Sequence, residues 1–276
     1  MDIPGIDGFI RHMPDYEETQ VKRIVLRLPL FAVIFFLIQF LLVNAVSIII
    51  IPVEPYIPII LDLVFIFMGT LVAQVGFRAK SRLLNEDPER DYQRVVKPVL
   101  GGISMVFSAM MRSYIPMLFP ASPLAVKLSS PMLSNELGTP FIVFRLILGA
   151  AFLIIGARTA YRAVMTFGID TASLVYVYYP DEAEVVDHEI YSVIRHPMYL
   201  AVYLVAFGGL LFRFSPYAII TFTITALSFY RHIFLVEERE LIERFGDLYV
   251  DYSNKVPALI ARPKDWGEYF KFLIDR

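Results

Sequence analysis

Two short clusters in the last third of the chain carry residue types that hold charged small molecules. The first, "DHEIYSVIRHPMY" at 187–199, sets Arg195, His196 and Pro197 directly before an apolar run. The second, "FLVEERELIERF" at 234–245, sets Glu237 and Glu238 directly after another. Proline suits a first helical position, where its missing N–H would have had no partner. The free amides of that turn attract a carboxylate or similar anion. Two adjacent glutamates offer acceptors to an ammonium, a ribose or a sulfonium-bearing ligand. A cationic helix start facing an acidic pair therefore suits a zwitterion, provided the fold brings the clusters together.

A helical hairpin would do so. Between the clusters lie two apolar blocks joined at "RFSPY", residues 213–217. From Ser215 back to His196 is about 28 Å of helix at roughly 1.5 Å per residue, and forward to Glu237 it is about 33 Å. Antiparallel helices of such similar length carry His196 and Glu237 to nearly one depth. Arg231 and His232 fall near the end of the second helix, and Arg231 is the candidate for orienting a substrate. Each cluster also has a plainer reading. Arg, His and Tyr at a helix start are ordinary interfacial anchors. "EERELIERFGDLYVDY" reads as an amphipathic interfacial helix with Leu241, Ile242, Phe245, Leu248 and Tyr249 on its apolar side.

The elements that position these clusters belong to a membrane. The chain is 57% hydrophobic and 19% charged, against about 45–50% and about 25% in soluble domains. The excess is gathered at 28–51, 57–77, 98–119, 140–161, 197–213 and 216–236. At roughly 17–25 residues each, these blocks can cross a hydrocarbon core of about 30 Å. The expected fold is an all-α integral membrane protein with about six transmembrane helices, a C-terminal helical hairpin and an interfacial helix. The first block is too long for a signal peptide core, so nothing is expected to be removed. Four spans form an N-terminal bundle over 1–165, and 166–276 forms the region that carries the clusters. Within that region "VYVYY" at 175–179 alternates like a short strand.

Lys and Arg collect in alternate loops: Arg11, Lys22, Arg23 and Arg27 before the first span, six cations between Arg78 and Lys97, Arg158 and Arg162 after the fourth, Lys255, Arg262 and Lys264 at the end. Short cytoplasmic loops collect these residues. Both termini, and the two clusters with them, are therefore expected on the cytoplasmic side. A net charge of −2 without a basic stripe argues against a nucleic-acid partner. With no cysteine there is no disulfide, thiolate metal site or cysteine nucleophile, and no metal site is expected. Asp62, Arg112 and Arg145 lie toward the outer ends of spans two, three and four. They read as one buried ion pair with a snorkelling arginine, or as a polar path through the bundle.

The two clusters taken together resemble the C-terminal region of the isoprenylcysteine carboxyl methyltransferase and phospholipid methyltransferase superfamily. The matching residues are Tyr191, Arg195, His196, Pro197 and Tyr199, then after the hairpin Glu237, Glu238, Leu241, Phe245, Gly246, Tyr249 and Tyr252. The resemblance covers about 175–260. It implies S-adenosylmethionine as cofactor, contacted by Tyr191, His196, Pro197, Met198, Tyr199 and Glu237, by Val186 through its backbone, and with Arg195 and Glu238 beside them. It implies a lipophilic or small methyl acceptor, carrying a carboxylate, amine or thiol and arriving from the bilayer. The arginine that orients the acceptor carboxylate in isoprenylcysteine enzymes stands four residues before the first glutamate. That position is Ile233 here, with Arg231 and His232 adjacent. Methyl transfer from a sulfonium is an in-line displacement, for which alignment and a dry site are the main requirements. Two other classes compete: a membrane reductase using NADPH on a related sterol-reductase-like hairpin, and a transporter or scaffold working through Asp62, Arg112 and Arg145.

Overall fold

The first apolar block folds as the core of a longer helix, because the chain starts that helix well before its hydrophobic part. In the computed structural model, which describes residues 4–83, 88–112, 114–115, 122–169, 175, 179 and 184–274, a short α1 (Ile6–Arg11) precedes α2 (Glu18–Ile49). A reciprocal capping box between Glu17 and Gln20 sets the start of α2, satisfying backbone donors at both positions. After a 3-10 segment at Ile51–Tyr56 come α3 (Ile57–Leu83), α4 (Pro88–Arg112), α5 (Pro123–Ser129) and α6 (Ser134–Phe167). Pro197 opens α7 (Pro197–Arg213), and Pro216 opens α8 (Pro216–His232). A π-helical turn (Ile233–Glu237) leads into α9 (Glu238–Phe245), α10 (Asp247–Lys255) and α11 (Trp266–Ile274).

This is an all-α membrane architecture. Among the described residues, five helical segments are long and apolar enough to cross a membrane, and the shorter α7 supplies a sixth apolar helix. Large apolar side chains such as Phe31, Phe67, Phe144 and Ile147 stand exposed along them, as lipid-facing residues do. Sequence and structure differ in two places, and a third expectation falls largely outside the described residues. The third span ends at Arg112 rather than 119, and 116–121 lie outside the described residues. No strand occurs among the described residues, and the centre of "VYVYY", 176–178, lies outside them. The amphipathic segment after Glu237 is two helices rather than one. Gly246 takes φ 56°, ψ −135°, a conformation glycine tolerates and other residues resist, and this separates α9 from α10.

The chain forms two compact units. One comprises Met1–Phe9, Ala150–Gly208 and Ile224–Arg276, the other Ile10–Gly149 and Gly209–Thr223. In the second unit, α3 and α4 approach so closely that a Cβ on Gly102 would lie 2.5 Å from the Gly69 carbonyl oxygen and 2.8 Å from the Ala73 nitrogen. Small residues permit such backbone proximity in membrane helices. Asp62 of α3 accepts a bidentate contact from Arg112 of α4, Nε to Oδ1 at 2.6 Å and Nη2 to Oδ2 at 2.5 Å. Gln39 of α2 donates to the same carboxylate at 2.7 Å. The expected buried ion pair thus exists and ties three helices together. The first unit has its own core, in which Ala163, Ile190, Tyr191, Val193, Ile194, Ala261, Tyr269 and Leu273 are buried together.

Candidate active site

All of the C-terminal site residues lie in the first unit. Its foundation is the packing of α7 against α8. Tyr203 donates to the Ala226 carbonyl at 2.7 Å, and the Tyr199 and Phe229 rings meet edge to face at 5.4 Å. A Cβ on Gly156 of α6 would lie 2.9 Å from Val205 Cγ2 and 3.1 Å from the Ala201 carbonyl, so α6 lies directly against α7. The antiparallel pair brings the two sequence clusters into contact. His196 Nδ1 lies 3.4 Å from Glu237 Oε1, and its Nε2 lies 2.6 Å from Glu238 Oε1.

The glutamates reach His196 because the helix changes pitch just before them. Ile233–Glu237 is π-helical, the kind of wide turn that recurs at functional sites. Ile233 is fully buried, which anchors the turn, while Glu237 and Glu238 both point at the histidine. Burial disfavours the charged imidazolium. The two carboxylates outweigh that cost and hold the His196 pKa above its ordinary value.

Glu238 and Glu237 play different parts. Glu238 Oε1 accepts from Arg195 Nε at 3.1 Å and Nη2 at 2.9 Å, from His196, and from the Tyr249 hydroxyl at 3.1 Å. Arg195 spends its remaining N–H groups on the carbonyls of Ser253, at 2.7 Å, and Val256. Main-chain bonds extend the same clamp: Arg195 N–H donates to Pro257 and His196 N–H to Ala258, each at 2.9 Å. Glu237 is less engaged. It takes the Tyr199 hydroxyl and faces His196, and its side chain remains 25% exposed.

The other expected residues surround this frame. Pro197 is the buried first residue of α7. Leu200 N–H returns to the His196 carbonyl, and Met198 precedes it in the first turn of α7. Met198 is 36% exposed. Tyr199 sits between His196 and His232, with ring centroids at 5.9 and 6.1 Å. Tyr191 is buried, stacked on Phe167 at 5.3 Å, and its carbonyl accepts from Tyr252 at 2.7 Å. Val186 packs on the edge of the same core. Arg231 is exposed in the last turn of α8.

Sequence reasoning missed two features. One is Glu189, which holds φ 51°, a strained value for a residue with a Cβ, while Arg162 donates to its carboxylate at 2.7 Å. The other is α11. Tyr269 and Thr159 share a hydroxyl hydrogen bond of 2.6 Å, and Arg158 Nε donates to the Leu273 carbonyl at 2.8 Å. These bonds lock the C-terminal helix beneath Tyr191 and Ile190. Asp265 and Pro263, before the apolar spacing of Trp266, Tyr269, Phe270 and Leu273, are the signal for it.

Comparison with known proteins meets this geometry on the same segment. Residues 144–248 match the family model described as phospholipid methyltransferase. The protein-S-isoprenylcysteine O-methyltransferase of Saccharomyces cerevisiae is 32% identical over 110 residues, 40% of this chain and 46% of that protein. A rice (Oryza sativa subsp. indica) protein named "Probable protein-S-isoprenylcysteine O-methyltransferase" is 29% identical over 108 residues, 39% of this chain and 56% of its own. The protein-S-isoprenylcysteine O-methyltransferase of Tribolium castaneum is 27% identical over 109 residues, 40% of this chain and 39% of its own. The chain spans about half the length of the curated relatives it matches. No solved structure matches. The resemblance read from the two clusters is thus found independently over the C-terminal region, and neither the reductase nor the transporter reading gains support.

Proposed function

We propose that the chain is an integral membrane methyltransferase that uses S-adenosylmethionine on a lipophilic or small acceptor. The observation that carries this reading is the coincidence of the matched segment, 144–248, with the contact between His196 and the Glu237–Glu238 pair. The cofactor supplies an electrophilic methyl group on a sulfonium. The residues present fit such a group. Glu237 is a partly exposed carboxylate, able to accept from an amine or a ribose. The amide of Met198, in the first turn of α7, suits a carboxylate.

The nine expected binding residues divide by geometry. Val186, Tyr191, Pro197, Met198, Tyr199 and Glu237 form the contact set. Arg195, His196 and Glu238 form the frame beneath it, since their polar atoms are already committed to one another and to the 253–258 loop. The frame fixes the orientation of Glu237 and the first turn of α7, and alignment is the main contribution this reaction needs. Arg231, exposed beside the end of α8, remains the residue proposed to orient the acceptor. Ile233, at the position of the isoprenylcysteine enzymes' arginine, is buried and apolar, so a carboxylate would have to be met by Arg231 or His232 instead.

The Lys and Arg distribution supports a topology with both termini and this site on the cytoplasmic side. There a water-soluble cofactor meets a membrane-dissolved acceptor. Isothermal titration of S-adenosylmethionine into the detergent-solubilised protein tests the reading. His196→Ala and Glu237→Ala are expected to abolish binding while the protein remains monodisperse. Unchanged affinity in both variants would overturn the site.

A further inference from the structure

The second compact unit holds a pair of arginines that the methyltransferase reading does not use. Arg145 of α6 is 5% exposed, and its Nε and Nη1 have no hydrogen-bond partner. Its guanidinium carbon stands 5.6 Å from the centroid of Phe214, a contact that serves the face of the group and not its N–H edge. Arg213, at the end of α7, directly precedes Phe214, the ring that Arg145 packs on, and its Nη2 donates to the Ser129 carbonyl. Among the described residues, no carboxylate is paired with either arginine. The contrast with Arg112, the other buried arginine of this unit, is direct: Arg112 has Asp62 in bidentate contact.

A buried charge without a partner is costly, and a like charge beside it adds to the cost. An anion relieves both at once. We propose that Arg145 and Arg213 form a binding site for a phosphate-bearing anion, supplied by the headgroup of an anionic phospholipid. Guanidinium groups bind phosphate oxygens through short charge-assisted hydrogen bonds, and Arg145 has two nitrogens free for them. The surroundings favour a lipid source. Val143, Phe144 and Ile147, which flank Arg145 along α6, stand exposed on an apolar helix long enough to span a bilayer. An acyl chain would lie along that face while its phosphate reached the arginines.

Lipid binding by the full-length protein, measured by native mass spectrometry and by thermal unfolding in neutral detergent, tests this. The probes are phosphatidylglycerol, phosphatidylcholine and inorganic phosphate. Wild type is expected to retain phosphatidylglycerol in preference to phosphatidylcholine and to unfold at a higher temperature with it. Arg145→Gln is expected to weaken that binding about tenfold, the size of one lost charge-assisted hydrogen bond, and Arg145→Gln/Arg213→Gln to abolish the preference. S-adenosylmethionine affinity serves as the control and is expected to stay unchanged. If inorganic phosphate alone stabilises the wild type and the double variant loses that effect, the site stands with a free anion as its ligand. No phosphatidylglycerol preference and no phosphate effect in the wild type overturns the proposal. So does a preference that survives the double substitution. Should the glutamine variants fail to fold, Arg145→Lys with Arg213→Lys keeps the charges and removes the guanidinium geometry; undiminished preference there overturns the guanidinium assignment.

Discussion

Glu238 Oε1 lies 2.6 Å from His196 Nε2 and takes two N–H groups of Arg195 and the Tyr249 hydroxyl besides. One carboxylate oxygen therefore joins the start of α7, the start of α9 and the middle of α10. Replacing that carboxylate leaves Arg195 largely buried without its counter-ion and His196 with Glu237 alone. Glu238→Gln is expected to cost about 3 kcal/mol, the usual penalty for removing one partner of a buried pair. Thermal unfolding in detergent, following the single Trp266, measures it. A loss below about 1 kcal/mol would show that solvent reaches the pair freely.

The same contact predicts a pH dependence. An unfolded histidine titrates near 6.5, and the two glutamates raise the folded value of His196 above it. The stabilisation is therefore complete below about pH 6.5 and is lost as pH rises through the folded pKa. Tm measured from pH 6 to 9 is expected to fall with rising pH in the wild type. The slope is expected to be smaller in His196→Gln. Parallel profiles would rule out His196 as the group responsible.

Tyr252 donates to the Tyr191 carbonyl at 2.7 Å, fixing the 3-10 turn Glu189–Ser192 that carries Tyr191, a residue proposed to contact the cofactor. Tyr252→Phe removes one hydrogen bond worth about 1 kcal/mol. Under the proposed function it is expected to raise KM for S-adenosylmethionine several-fold with kcat little changed, because the effect is on a binding surface. A fall in kcat at constant KM would place Tyr252 closer to the reacting atoms than the fold does.

At the crossing of α3 and α4 there is no room for a side chain on Gly102, whose Cβ would lie 2.5 Å from the Gly69 carbonyl oxygen. Gly102→Ala is expected to destabilise the second unit by about 1–3 kcal/mol through overpacking. Cofactor affinity should remain intact, since the residues proposed to bind it belong to the other unit. Gly101→Ala is the control, because a Cβ there meets nothing within 4 Å. Equal losses in the two variants would show that helix–helix proximity is not the cause.

Much of this was legible in the sequence, for identifiable reasons. Proline starts both α7 and α8, and proline tolerates few positions in a helix except its beginning. The hairpin ends could be levelled by counting rise per residue, and the contact of His196 with Glu237 bears this out. Asp62 was readable as half of an ion pair because charges at span depth need partners; which of Arg112 and Arg145 meets it was not, and it is Arg112. Gln39, which completes that cluster, was not, since an amide in an apolar run has many ways to be satisfied. The π-helical turn was also invisible. Its sequence, Ile-Phe-Leu-Val-Glu, is ordinary helix composition, and only the tertiary anchoring of Ile233 sets its width. The division of labour between Glu237 and Glu238 follows from that turn, so the sequence could mark both as acidic partners without telling which is the more engaged. For Gly246, the phenylalanine–glycine pair after an apolar stripe was a stop signal, outweighed by the amphipathic pattern running through it.

The widened turn at Ile233–Glu237 has a consequence for how this segment tolerates change. An α-helix advances about 100° per residue, so the wide turn works as a phase adjustment between a helix that answers to lipid and one that answers to the loop at 253–258. The exposed side chains of Phe234, Leu235 and Val236 can be exchanged while the rotation is kept. Dropping a single position would swing both glutamates about a quarter-turn or more away from the imidazole, dismantling the acidic pair without altering its chemistry. Variation here should be generous in letters and strict in number.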